Sequence, residues 1–286
     1  MNDQATNLRK KVAAKAKQTR IIAIASGKGG VGKSNITVNL GLALQEMGKK
    51  VLLLDADLGM ANLDILLGLT PRYNLSHVLK GKCRFEEALL DGPGGIDILA
   101  GTSGVDDLIN ISSTEVKRLI EASSQMDNNY DIIIIDIGAG IHFSIINFIM
   151  ACDEAVIVLT PEPTAIMDAY SLIKYLAKQK YKQKISLLIN QISTTKEGSN
   201  VASRMKKVIN DYLKLDIEIM GYIPYDDNVK QSVKQQTPFI ISYPKSKAVD
   251  SLKSVASKML NRAEEEDSPG MKAFVYRIVG IFNRQK

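Results

Sequence analysis

Short runs of consecutive apolar residues alternate along the chain with longer segments in which apolar residues recur every three or four positions. Continuous runs are typical of parallel strands buried on both faces, whereas the longer spacing indicates amphipathic helices. The clearest runs are Val51–Leu54, Ile132–Ile135, Ala155–Leu159 and Ile185–Ile189. Because the alternation continues from residue 21 to residue 260, it predicts one α/β domain built on a doubly wound, mostly parallel sheet.

A glycine-rich loop follows the first apolar run and fits the pattern G-x-x-x-x-G-K-[ST]. Glycines let successive backbone N–H groups point at phosphate oxygens, and the helix that follows presents its positive end to the same anion. Lys33 is then expected to contact the β and γ phosphates, and Ser34 to bind Mg²⁺. The predicted nucleotide-binding residues of this loop are Gly27, Lys28, Gly29, Gly30, Val31, Gly32, Lys33, Ser34 and Asn35.

Carboxylates follow two of the buried strands. Asp55 and Asp57 come directly after one apolar run, and Asp136 comes after another and precedes Ile137-Gly138-Ala139-Gly140. The carboxyl ends of parallel strands form the edge at which open α/β sheets bind their ligands. Asp136 therefore has the layout of a Walker B aspartate, which holds Mg²⁺ through water, and the glycines after it let the loop move with the γ-phosphate.

Charge is distributed unevenly. The net charge is +6, and both ends are basic: residues 1–20 carry six Lys or Arg against one Asp, and residues 271–286 carry four against none. Basic ends indicate anionic partners, and the basic second half keeps DNA among them. Cys83 and Cys152 form no paired motif, which argues against a disulfide framework or an iron–sulfur site. No apolar run approaches the length of about 18 residues needed to span a bilayer, so we expect a cytoplasmic protein.

The loop sequence G-K-G-G-V-G-K-S contains a second lysine, Lys28. Two adjacent cations repel each other unless a dense negative charge lies between them. The loop resembles the deviant Walker A motif of the MinD/ParA family, whose members are ATPases that hold two ATP molecules between two subunits. The resemblance implies that Lys28 reaches the partner's phosphates, that Asp57 orients the hydrolytic water and that Asp55 lies near Mg²⁺. Lys28, Lys33 and Asp57 are thus the expected catalytic residues.

The base-binding residues are inferred from two strand ends. A guanine-specific site would show N-K-x-D where this chain has Asn190-Gln191-Ile192-Ser193, so the sequence favours ATP and ADP over guanine nucleotides. Asn190, Pro224 and Tyr225 resemble the adenine-contacting positions of the family. An ordinary junction between a strand and a turn is the alternative for these residues.

A C-terminal amphipathic segment follows the acidic linker 263–270, which succeeds the ATPase domain of residues 21–262. Apolar residues recur at helical spacing among basic ones, which is typical of a helix that lies in the interface of an anionic membrane. It resembles the membrane-targeting helix of MinD-type proteins, and docking on its own domain is the alternative. The predicted membrane-contacting residues are Met271, Phe274, Val275, Ile278, Val279 and Phe282.

The N-terminal segment 1–20 contains D-Q-A-x-x-L-R. This motif resembles the segment that precedes the ATPase domain in the flagellar branch of the family, known as FlhG, FleN or YlxH. There it activates FlhF, a GTPase of the signal-recognition-particle type, so the resemblance makes Gln4, Leu8 and Arg9 partner-binding residues. A glutamine can position an attacking water, which suits Gln4. A solvated basic tail is the alternative.

The whole pattern favours an ATP-dependent dimerising ATPase that controls the number or placement of flagella. Its expected partners are a second copy of itself, an FlhF-type GTPase, flagellar switch-complex proteins and the inner face of the cell membrane, with which it associates reversibly. A MinD-type regulator of the division site shares all features except the D-Q-A segment. A ParA-type segregation ATPase would bind DNA, which the apolar C-terminal stripe makes the less favoured alternative.

Overall fold

A central sheet of eight strands organises the chain. The computed structural model describes residues 19–57, 62–101, 112–263 and 269–283. Across the sheet the strands run in the order β3-β4-β2-β5-β1-β6-β7-β8, and all pairs are parallel except β3 with β4. The strands are β1 (Arg20–Ser26), β2 (Val51–Ala56), β3 (Leu89–Asp91), β4 (Asp97–Leu99), β5 (Ile132–Ala139), β6 (Glu154–Leu159), β7 (Lys184–Ile192) and β8 (Glu218–Pro224).

Helices cover both faces of this sheet. Two short 3₁₀ turns, Glu86–Ala88 and Pro93–Gly95, lie near its β3–β4 edge. The α-helices are α1 (Lys33–Glu46), α2 (Leu63–Leu67), α3 (Leu75–Leu79), α4 (Ser113–Asn129), α5 (Phe143–Ala151), α6 (Pro163–Lys178), α7 (Thr195–Leu213), α8 (Asp227–Lys234), α9 (Phe239–Ser242), α10 (Lys247–Ala263) and α11 (Gly270–Asn283).

The core has two halves, one on each face of the sheet. Successive side chains of a strand point to opposite faces, so Ile21 and Ala23 enter one apolar cluster while Ile22 and Ile24 enter the other. The first cluster is closed by α3 to α7 together with α11, and the second by α1, α2, α9 and α10. This arrangement confirms the doubly wound, mostly parallel sheet predicted from the apolar runs.

Strand register brings the predicted site residues together. In the parallel pair of β2 and β5, Asp55 lies opposite Asp136, and Ile24 of β1 lies opposite Asp136 on the other side. The phosphate loop begins at Gly27, three residues after Ile24 and directly after β1. The loop and both aspartates therefore meet at one edge of the sheet, as the sequence predicted.

The apolar pattern did not predict one short strand at the edge of the sheet. The three-residue strand β3 pairs antiparallel with β4 at the sheet edge, and its amphipathic signal is too short to detect.

Helix α4 is capped by Ser112, whose hydroxyl accepts from the N–H of Glu115 while the Glu115 carboxylate accepts from the N–H of Ser112. No helix within the described ranges is long and apolar enough to cross a membrane.

Candidate functional site

The phosphate loop joins β1 to α1, and three of its four glycines have positions that favour glycine. Gly30 and Gly32 have φ values of 80° and 88°, which lie in the left-handed region that L side chains rarely adopt. A Cβ atom at Gly27 would overlap the backbone carbonyl of Asp168 in the second turn of α6. The loop thus keeps its curled backbone, with α1 beginning directly after it.

Lys33 forms the central ion pair of the site. Its Nζ lies 2.7 Å from Oδ1 of Asp136, and the two side chains are 7% and 0% exposed. The hydroxyl of Thr37, one turn along α1, donates to the same Oδ1 at 3.0 Å. In this structure the predicted phosphate-binding lysine and the predicted Walker B aspartate neutralise each other.

The second oxygen of Asp136 suits a cation. Oδ2 is buried and makes no hydrogen bond within the described chain, whereas buried carboxylate oxygens are normally satisfied. Asp55, its neighbour across the strands, is 3% exposed. Burial raises the pKa of the Asp55 carboxyl to about 6, opposed by three backbone N–H groups and assisted by the charge of Asp136. Two close buried carboxylates beside Ser34 fit Mg²⁺, a cation that prefers oxygen ligands, although the described residues hold no cluster of three acidic, His or Cys ligands.

Asp57 lies on the solvent side of this pair. Its Oδ2 accepts from the amide nitrogen of Asn62 at 2.9 Å, and its backbone N–H donates to Asp55 at 3.0 Å. A Cβ at Gly138 would stand 3.1 Å from Oδ1 of Asp57, so the glycine lets Asp57 approach β5 closely. The residue predicted to orient water therefore lies between the start of α2 and the last residues of β5. The sequence did not identify Asn62, because nothing in the residues around a single asparagine indicates that its side chain contacts Asp57.

Lys28 points away from Lys33. Its Nζ lies 3.0 Å from the carboxylate of Glu162 and 2.8 Å from the hydroxyl of Thr164, and its side chain is 39% exposed. Both contacts are near the start of α6. The structure therefore places the second loop lysine at the rim of the site, where a second molecule can reach it.

A cavity of about 400 Å³ adjoins the loop at the ends of β7 and β8. Asn190, Pro224 and Tyr225 line it together with Asn35, and their contact with adenine stays a prediction. The amide nitrogen of Asn190 donates to the carbonyl of Val31 at 2.8 Å, so the asparagine also braces the phosphate loop. Sequence reasoning missed the contribution of α8, which supplies Val229, Lys230, Val233 and Lys234 to the wall.

The C-terminal stripe is buried against the domain. In α11 the side chains of Met271, Phe274, Val275 and Ile278 are 5% exposed or less, and Val279 packs on the same core. Phe282 lies beyond the side chains that the structure describes. In this structure α11 is therefore docked on its own domain, the alternative that the sequence left open. Membrane contact by these residues stays a prediction. Gln4, Leu8 and Arg9 lie outside the described residues.

Polar contacts hold the docked helix at its start and near its middle. Asp127 of α4 accepts from the N–H groups of Met271 and Lys272 at 2.6 and 3.1 Å. The guanidinium of Arg277 donates to the carbonyl of Ala151 at 2.6 Å and to Asp153 at 3.1 Å. Because these partners are distant in sequence, no local pattern could have revealed them.

Comparison with known proteins identifies the domain. Residues 22–239 match the CobQ/CobB/MinD/ParA nucleotide binding domain. The chain is 41% identical to the antiactivator FleN of Pseudomonas aeruginosa over 84% of this chain and 86% of that protein. It is 35% identical to the flagellum site-determining protein YlxH of Helicobacter pylori over 91% and 90% of the two chains.

A solved structure shares the fold and carries a nucleotide. The septum site-determining protein MinD of Pyrococcus horikoshii, complexed with Mg-ADP, superposes with a TM-score of 0.68 at 29% identity, covering 86% of this chain and 97% of that one. The motif at residues 27–34 lies within the matched domain, at the edge where β1, β2 and β5 end. The chain therefore belongs to the CobQ/CobB/MinD/ParA nucleotide-binding family, in the branch that includes FleN and YlxH.

Proposed function

We propose that the protein is an ATP-dependent dimerising ATPase that controls the number or placement of flagella. The observation that carries this proposal is the pair of loop lysines, one buried on Asp136 and the other at the rim on Glu162. A buried lysine suits a phosphate bound by its own chain, and a rim lysine suits one bound by a second copy. The flagellar role comes from the similarity to YlxH, a flagellum site-determining protein.

Each residue has a separate task in this scheme. Lys33 and the N–H groups of residues 29–34 hold the phosphates, and Ser34, Asp55 and Asp136 hold Mg²⁺, which offsets phosphate charge. Asp57 orients the attacking water from its position beside Asn62 and Gly138. Asn190, Pro224 and Tyr225 line the cavity for adenine. Positioned charges of this kind supply most of the rate enhancement in phosphoryl transfer.

The division-site role is the second candidate. MinD of Bacillus subtilis is 29% identical over 91% of this chain, and it shares the domain on which both candidates depend. FleN is more similar, and the D-Q-A segment resembles the flagellar branch alone. We therefore favour flagellar switch-complex proteins as further partners, and we consider DNA a less favoured partner.

Membrane binding requires α11 to leave its groove, because the face that would contact lipid is buried there. The helix can do so only if another interaction replaces its contacts with α4 and α5. We propose that the ATP-bound dimer favours the released helix, which then lies in an anionic membrane surface. Docking and membrane insertion bury the same apolar residues, so the two states compete.

Replacing Asp127 by alanine is expected to increase binding to anionic vesicles in the absence of nucleotide. The change removes the cap of docked α11 while leaving the helix sequence intact. Loss of a capping residue costs about 1 kcal/mol, which corresponds to roughly a fivefold shift toward the released helix. Vesicle co-sedimentation measures the effect. Glu121→Ala on the exposed face of α4 is the control, since it removes one acidic charge without a contact to α11. Equal binding by both variants would contradict the competition.

The N-terminal segment is proposed to activate an FlhF-type GTPase through Gln4. The full chain, and a peptide of residues 1–20, should raise GTP turnover by at least about tenfold, as a positioned catalytic group does. Gln4→Ala should remove the stimulation, whereas Asn7→Ala, at a position that the motif leaves free, should retain it. Phosphate release from GTP is the measurement. Stimulation that survives Gln4→Ala would exclude the assigned role of this residue.

A further inference from the structure

Helix α8 borders both cavities of the nucleotide site. Four of its residues line the cavity assigned to the base. A second cavity, of about 690 Å³, opens over the phosphate loop and is lined by Asp57 and Asn62, with Val233 and Gln236 at its α8 side. The segment from Val229 to Gln236 thus extends from the base end of the site to the phosphate end.

Gln236 ends this segment and contacts α2. Its amide nitrogen donates to the carbonyl of Ile65 at 2.8 Å, and its side chain lies against Gly68, the left-handed residue that ends α2. Gln236 itself has a φ of 51°. Few non-glycine residues adopt that conformation, and here it follows directly after the last turn of α8 at Gln235. The glutamine is the side chain by which the base-binding helix holds α2.

Helix α2 is held by its buried Leu63 and Leu67 and by polar contacts at its start and in its last turn. It has five residues, far fewer than an isolated helix needs for stability. At its start, the N–H groups of Asn62 and Leu63 donate to Asp55 at 2.8 and 3.1 Å, and the Asn62 side chain holds Asp57. At its end, Gln236 holds Ile65. A shift of α8 therefore reaches Asp57 through one short helix fixed at both ends.

We propose that Gln236 is a positioning residue that couples occupation of the base cavity to the placement of Asp57. The proposal rests on the proposed ATPase function and extends it. Adenine packed against Val229 and Val233 steadies α8, Gln236 steadies α2, and Asn62 then holds Asp57 where it orients water. Coupling of this kind is reciprocal. An ordered α2 therefore also strengthens the binding of a ligand that fills the base cavity.

Hydrogen exchange with two ligands tests the coupling without relying on turnover. ADP fills the base cavity and the phosphate loop, whereas pyrophosphate reaches only the loop. Amides of residues 62–69 should exchange about threefold more slowly with saturating ADP than with saturating pyrophosphate, as expected for one hydrogen bond of modest net strength. Amides of the phosphate loop should be protected by both ligands.

Gln236→Met removes the donor while keeping the length and neutrality of the side chain. It should abolish the difference between ADP and pyrophosphate at residues 62–69. Gln235→Met is the matched control, since this neighbouring exposed side chain lines neither cavity, and it should preserve the difference. In turnover, Gln236→Met should lower kcat about threefold. An unchanged denaturant midpoint separates this loss from partial unfolding, which also lowers kcat without changing KM.

The outcomes separate this inference from the proposed function. If ADP protects the phosphate loop but residues 62–69 exchange equally with both ligands, the coupling is wrong and the nucleotide site stands. A difference that persists in Gln236→Met also overturns the role of Gln236. If ADP fails to bind, the proposed function fails, and the coupling fails with it.

Discussion

Replacement of Lys33 by methionine is expected to abolish nucleotide binding and to lower the free energy of unfolding by about 3–5 kcal/mol, the usual cost of removing one partner of a buried ion pair. The methionine keeps the apolar stem, so the loss comes from the charge. Asp136, fully buried, would retain only the hydroxyl of Thr37 at the oxygen that Lys33 now contacts. Denaturant unfolding measures the stability, and equilibrium binding of labelled ADP measures the affinity.

The matched control combines Lys33→Met with Asp136→Asn. Removing both charges eliminates the unpaired carboxylate, so most of the lost stability should return. Nucleotide binding should not return, because the cation that faces the phosphates is still missing. This pair of results would separate the structural role of Lys33 in the free chain from its role in binding. A Lys33→Met variant as stable as the parent protein would contradict the buried pair seen here.

The sheet and the phosphate loop were predictable because their signals are local. Four consecutive isoleucines at 132–135 suit a strand buried on both faces. Gly32 has a positive φ, and the motif requires glycine at that position. Parallel strands then place Asp55 and Asp136 side by side without any further information. Local pattern and sheet topology together determine most of the phosphate end of the site.

Contacts between distant elements could not be predicted in the same way. Gln236 reaches Ile65 across 171 positions of sequence, and Asn190 reaches Val31 across 159. Neither glutamine nor asparagine shows by type or spacing which carbonyl it will meet. These contacts link the base end of the site to the phosphate end. The sequence therefore predicts the two ends of the site but not the contacts between them.

The apolar stripe of α11 shows a different kind of ambiguity. Met271, Phe274, Val275 and Ile278 suit a membrane interface and a protein groove equally, because both environments only require one apolar face. Polar contacts favour the groove in this structure: Asp127 caps the first turn of α11, and Asp153 pairs with Arg277 near the middle of the helix. A helix with two possible environments can act as a switch, and its sequence has to remain compatible with both.

Asp57→Ala is expected to lower ATP turnover by roughly two to four orders of magnitude, the contribution typical of a side chain that positions or activates a reacting water. ATP affinity should change little, since Asp57 pairs with neither Lys33 nor Asp136. Its described partners are Asn62, the backbone of Asp55 and the neighbouring Gly138. The variant should therefore bind ATP, form the dimer and fail to leave it. Phosphate release and size-exclusion chromatography with ATP measure the two effects.

Lys28→Ala provides the contrast. It should also lose turnover, but it should remain monomeric with ATP, because the proposed role of Lys28 lies across the interface and its present partners, Glu162 and Thr164, are at the rim. If both variants dimerise equally, Lys28 has no role in assembly. If Asp57→Ala stays monomeric with bound ATP, hydrolysis is not what ends the dimer. If the dimer accumulates in Asp57→Ala but not in Lys28→Ala, Lys28 is required for the dimer to form and Asp57 for the hydrolysis that separates it.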